Sequence, residues 1–83
     1  MIDLDDTRPK WRQVFEVIST RIDSGEYAPG ARIPSVIQLQ EEFGIATATG
    51  QKVMRALRET GRIRTESGMG SFVLPPDSER DDG

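Results

Sequence analysis

The sequence predicts a mainly α domain of three helices closed by a small β-hairpin. Three observations point to it. Apolar residues recur at helical spacing in three separate stretches, and a tight glycine-containing turn separates the second stretch from the third. After Gly61 the pattern changes from a helical period to alternation of polar and apolar residues. With 83 residues the chain makes one domain with a modest core, and a separate ligand-binding domain does not fit beside it.

In chain order, residues 1–8 are acidic and have no periodic apolar set, so they are expected to form a flexible arm. Pro9 suits the first turn of a helix, where its missing N–H is no loss, and Thr7 is the candidate cap ahead of it. Trp11, Val14, Phe15, Ile18 and Ile22 then lay one stripe along a first helix, roughly Pro9 to Asp23. Ser24-Gly25 stops it. Pro29-Gly30 is a turn pair, and Ala31-Arg32-Ile33 is a short extended piece held so by Pro34.

Ser35 opens the second helix. Ser35-Val36-Ile37-Gln38 has the form of a capping box, in which hydroxyl and amide satisfy two orphaned backbone donors. Leu39 and Phe43 face inward, with Val36 or Ile37 also available, and Gly44 ends the helix. Ile45 and Ala46 bridge to the third helix, where Gly50, Val53, Met54 and Leu57 form the buried stripe while Ala48, Gln51, Lys52 and Arg55 point away. Beyond Gly61, Arg62 to Glu66 alternates, Ser67-Gly68-Met69-Gly70 is a flexible tip, and Ser71 to Leu74 returns. Three helices followed by such a hairpin describe a winged helix-turn-helix over residues 9–74, with the two-stranded hairpin as the wing. Residues 75–83, opened by Pro75-Pro76, have nothing to bury and are expected to form a disordered acidic tail.

Composition narrows the function. There is no Cys and no His, so the chain has no disulfide frame, no thiolate metal site and no histidine base. An enzyme would need a nucleophile paired with a base, and Ser or Thr alone does not suffice; no metal or cofactor is expected. No apolar run approaches a membrane span and the N-terminus is acidic, so a cytoplasmic protein is expected. The net charge is −3, yet its distribution is uneven. From Gly44 to Leu74, Lys52, Arg55, Arg58, Arg62 and Arg64 stand against only Glu59 and Glu66. Acidic ends therefore flank a basic middle of the kind that meets phosphates.

The ordered part resembles the N-terminal DNA-binding domain of GntR-family bacterial transcription regulators. The likeness is carried by Ile22-Asp23-Ser24-Gly25 with Tyr27-Ala28-Pro29-Gly30, by Ile33-Pro34-Ser35 with Leu39, by Glu42-Phe43-Gly44-Ile45 with Thr49 and Leu57, and by Gly61, Ile63 and Gly68-Met69-Gly70-Ser71-Phe72-Val73. The resemblance implies a winged helix-turn-helix that binds double-stranded DNA, as a homodimer on a two-fold operator, with the third helix in the major groove and the wing near the minor groove. A bacterial repressor is the implied role; the family's usual effector domain has no counterpart in these 83 residues, so either a free-standing small regulator or an excised domain is expected, with no small-molecule ligand in this chain. The departures fall on the DNA side: three positions where the family places Arg are Ile37, Thr47 and Gln51 here.

The residues expected to meet DNA are Ser35 at the start of the second helix; Thr47, Ala48, Thr49, Gln51, Lys52 and Arg55 on the third; and Arg62, Arg64, Gly68 and Gly70 on the wing. Gln51 can present donor and acceptor to an adenine edge, the threonines can bond phosphates or touch a thymine methyl, the cations can meet phosphates, and the glycines let backbone approach a groove. Ser35 is a cap first, and the wing glycines are turn formers first. Gly50 sits in the core stripe where the family has Val. The expected compensation is that Val36 and Ile37, replacing an ionic pair, move inward to fill the space. An alternative is a winged-helix protein-interaction module without specific DNA binding, for which the lost Arg positions and acidic ends would be the point.

Overall fold

The computed structural model describes residues 4–75. The expected disordered tail, apart from Pro75, and Met1-Ile2-Asp3 of the expected arm lie outside the described residues. Three helices are followed by one antiparallel hairpin: α1 (Lys10–Asp23), α2 (Val36–Phe43), α3 (Thr47–Glu59), β1 (Ile63–Glu66) and β2 (Gly70–Val73). The hairpin pairs Ile63 with Val73, Arg64 with Phe72, Thr65 with Ser71 and Glu66 with Gly70. This is a winged helix-turn-helix.

The start of α1 differs from expectation. Thr7 does not cap it; Pro9 takes the cap position without a side-chain bond, and Thr7 turns back to the Asp5 carboxylate. Gln13 takes over the task of ordering the entry. Its buried side chain accepts from the Asp5 N–H at 2.7 Å and donates to the carbonyls of Asp5 and Arg8 at 2.6 and 3.0 Å. Asp5 to Arg8, placed in a loose arm by sequence, are thus tied to α1. Val14 and Ile18 are the fully buried part of the predicted stripe, while Trp11, Phe15 and Ile22 pack at its margin.

At α2 the capping box forms in full. Gln38 N–H donates to the Ser35 hydroxyl at 3.2 Å and Ser35 N–H to the Gln38 side chain at 2.8 Å. Leu39 and Phe43 go into the core, and Gly44 closes the helix in the left-handed region, with φ 68°. On the opposite flank Arg21 of α1 forks onto Glu42 and donates to the Tyr27 hydroxyl at 2.9 Å. The hydrogen bonds from Arg21 hold the Glu42 carboxyl below its ordinary range. After Ile45 and Ala46, α3 lays Gly50, Val53, Met54 and Leu57 into the core, the stripe expected from sequence.

The expected inward move of Val36 and Ile37 is half right. Val36 does stand against Gly50: a methyl placed on Gly50 would lie 3.0 Å from Val36 Cγ1. Ile37 instead points outward and is 66% exposed. Neighbouring helical positions are turned roughly 100° apart, so only one of the two can face α3.

The extended piece before α2 is more than a connector. Arg32 bridges Phe72 on the outer edge of β2, with Ile33 N–H donating to the Ser71 carbonyl and Val73 N–H to the Ala31 carbonyl, both at 2.9 Å. Ile33, Ile63 and Val73 thereby join the core from the wing side.

Candidate nucleic-acid interface

The candidate surface is built on the outer face of α3. Because its buried stripe is narrow, Thr47, Ala48, Gln51, Lys52 and Arg55 are all exposed. Thr49 is not on that ridge. It is half-buried, seven residues before Ala56, on the flank that meets α1.

The ridge has two dissimilar flanks. Toward α1, the Lys52 ammonium lies 5.0 Å from the centre of the Trp11 ring, and the Arg12 guanidinium 5.5 Å from it. Both contacts are within cation–π range and hold the cations at the α1 edge of the face. Toward the wing, α3 borders an open cleft of about 400 Å³ between the start of α2 and the hairpin. Ser35, Gln51, Arg55 and Gly70, four of the expected residues, meet there. Arg32, Arg58, Thr65 and Ser71 join them, and among the described residues no carboxylate lines the cleft. Arg58 donates to the Thr65 hydroxyl at 3.2 Å, and Thr65 is in turn 2.9 Å from the Ser71 hydroxyl.

The two wing arginines expected to supply cations are placed elsewhere. Arg62 forks onto Asp23 at the end of α1, with one contact at 2.7 Å, which clasps the root of the wing to the first helix. That bond raises the basicity of Arg62 and lowers the Asp23 carboxyl. Arg64 faces away from the cleft, since alternate residues of a strand lie on opposite faces. It pairs with Glu66 and stacks 5.3 Å from the Phe72 ring. Gly68 is at the wing tip with φ 78°, beside Met69, which is 62% exposed.

Sequence reasoning did not place Arg32 on the candidate surface and counted Arg58 only among the cations of the basic middle. Arg32 carried no helical or strand pattern of its own; only the pairing with Phe72 brings it to α3. The signal available for Arg58 was its place in the series Gln51, Arg55, Arg58, which advances by four and then three and so stays on one face. Ser35 keeps its cap role and still has a hydroxyl proton to donate. Among the described residues there is no group of acidic side chains arranged to hold a metal, and no helix long and apolar enough to cross a membrane.

This geometry has close counterparts. The histidine utilization repressor of Klebsiella aerogenes is 35% identical over 68 residues, covering 82% of this chain and 28% of that protein. Among solved structures, a GntR family transcriptional regulator from Listeria monocytogenes superposes with a TM-score of 0.82 at 31% identity, over 86% of this chain and 62% of the other. AraR(DBD), solved in complex with an operator, gives a TM-score of 0.78 at 33% identity, over 86% of this chain and 89% of the other. The chain thus spans little more than a quarter of the length of the repressor it resembles. The model of bacterial regulatory proteins of the gntR family matches residues 10–73, and the chain belongs to that family.

Proposed function

We propose that this chain is a sequence-specific DNA-binding module of a transcription regulator, acting as a repressor through a pair of copies on a two-fold operator. The observation that carries it is the outward row Ala48, Gln51 and Arg55 beside a cleft that holds arginines and, among the described residues, no carboxylate. A helix with a short residue near its N-terminus can approach a major groove closely, and its longer neighbours then reach base edges or phosphates. Gln51 presents an amide to an adenine edge, Thr47 bonds a phosphate or touches a thymine methyl, and Arg55 meets the backbone. Lys52 adds a phosphate contact on the α1 side. The wing, led by Gly68 and Met69, lies toward the neighbouring minor groove. The likeness to AraR(DBD), itself solved on operator DNA, supports the same use of the fold here. The repressors among the similar proteins support the direction of control.

A second reading has one observation in its favour. Ile37, where the family places an arginine, is an exposed apolar side chain beside the same surface, and such a residue also suits a protein partner. One experiment separates the readings. The chain is used to select duplexes from a randomised pool, and the winners are titrated at 50 and 200 mM salt. A shared half-site and steeply falling affinity are expected. Enrichment of no sequence, or affinity indifferent to salt, would remove the DNA-binding reading and leave the protein-interaction module.

A further inference from the structure

The cleft between α3 and the wing has a consequence for how a duplex would sit. The major and minor grooves of B-DNA are separated by a single sugar–phosphate strand, so a helix in one and a hairpin in the other straddle that strand. In this chain the space between them is the cleft of about 400 Å³.

The described arginines divide by location. Away from the cleft, Arg8, Arg21, Arg62 and Arg64 each face a carboxylate and Arg12 lies over the Trp11 ring. In the cleft, Arg32, Arg55 and Arg58 have no ion pair among the described residues. Three guanidiniums brought to one concave surface without counter-charge repel one another, and an anion between them relieves that repulsion.

Two of the three are also held in place. The backbone of Arg32 is pinned to β2 by its bridge to Phe72, and its guanidinium lies across Gly70: a Cβ on Gly70 would stand 2.6 Å from Arg32 Nε. The bare glycine therefore lets this side chain lie along the wing. Arg58 is steadied by its bond to Thr65.

We infer that the cleft seats the backbone phosphates of the DNA strand running between the two grooves, with Arg32 and Arg58 as the clamp and Gly70 as the residue that positions Arg32. The inference rests on the DNA-binding reading above and adds residues and a role that reading does not need. Contacts of this kind set affinity and register but carry no base preference.

The test uses a duplex selected by the chain. Arg32→Gln and Arg58→Gln should each lower the slope of log affinity against log salt by about one, and weaken binding up to about eightfold near 0.1 M salt. The loss should be equal on selected and scrambled duplexes, with thermal melts unchanged. Replacing single phosphates by neutral methylphosphonates should weaken the wild-type chain at one or two adjacent positions, where Arg32→Gln loses nothing further. An unchanged salt slope in both variants, or an altered base preference, overturns the clamp while the DNA-binding reading stands. Displacement of the duplex by inorganic phosphate at constant ionic strength, lost in Arg32→Gln, would assign the cleft to a small anion instead. If the wild-type chain binds no duplex, both readings fall together.

Discussion

Replacing Gly50 by Ala sets two effects of similar size against each other. Glycine in a helix interior costs about 1 kcal/mol relative to alanine, so the substitution should stabilise α3 by that amount if the space is empty. It is not empty. The new methyl would meet Val36 Cγ1 at 3.0 Å, with the Val36 carbonyl at 3.7 Å and Ile45 Cδ1 at 3.8 Å. Comfortable carbon contacts begin near 3.5 Å, so Val36 has to retreat by roughly 0.5 Å. Val36 is half-buried in the first turn of α2 and can move outward, which places the overpacking cost at the low end, about 1 kcal/mol. The single variant should therefore sit within about 0.5 kcal/mol of wild type. In a Val36→Ala background the obstruction is gone, and Gly50→Ala should stabilise by about 1 kcal/mol, or roughly 4–8 °C in melting temperature. The assay is urea unfolding of the four proteins of the cycle, read as midpoints at constant m. If Gly50→Ala has the same effect in both backgrounds, or costs more than about 2 kcal/mol in each, Val36 is not what fills the space.

Three further outcomes follow from particular contacts. Arg21 holds the Glu42 carboxyl below the ordinary glutamate value of about 4.3, so its contribution is complete above that value and fades as pH falls through the depressed one. Glu42→Gln should flatten the acid limb of a stability profile from pH 5 downward and cost about 1 kcal/mol at neutral pH, measured by denaturation at each pH. The Ser19 hydroxyl is buried without a hydrogen-bond partner among the described residues, and Ser19→Ala should raise stability by about 0.5–1 kcal/mol in a thermal melt. Ile37 touches solvent, so Ile37→Arg should change stability by less than about 0.5 kcal/mol while adding a guanine preference worth about 1–3 kcal/mol, read by repeating the duplex selection.

The parts of the fold legible in the sequence are those set by contacts close along the chain. The stripe of α3, the capping box at Ser35 and the left-handed stop at Gly44 each follow from a few neighbouring residues, and each is present. What was not legible depends on docking between distant segments. Whether Val36 or Ile37 faces Gly50 is decided by how α2 lies on α3. Gln13 looks like any exposed amide until the chain from Asp5 to Arg8 folds back over it. The candidate site divides the same way. Gln51 and Arg55 could be placed from helical spacing, whereas the diversion of Arg62 to Asp23 spans 39 residues. Arg32 enters the cleft only because its segment pairs with β2.

The bridge between Arg32 and Phe72 also makes the wing a lever. The hairpin's outer edge is sewn to residues 31–33, which lead through Pro34 into the cap of α2. A groove that pries the hairpin open or presses it shut would tug on Ser35, and through Val36 on the seat of α3. Differences in DNA width far from any base the third helix touches would then be felt at that helix as a small change of tilt.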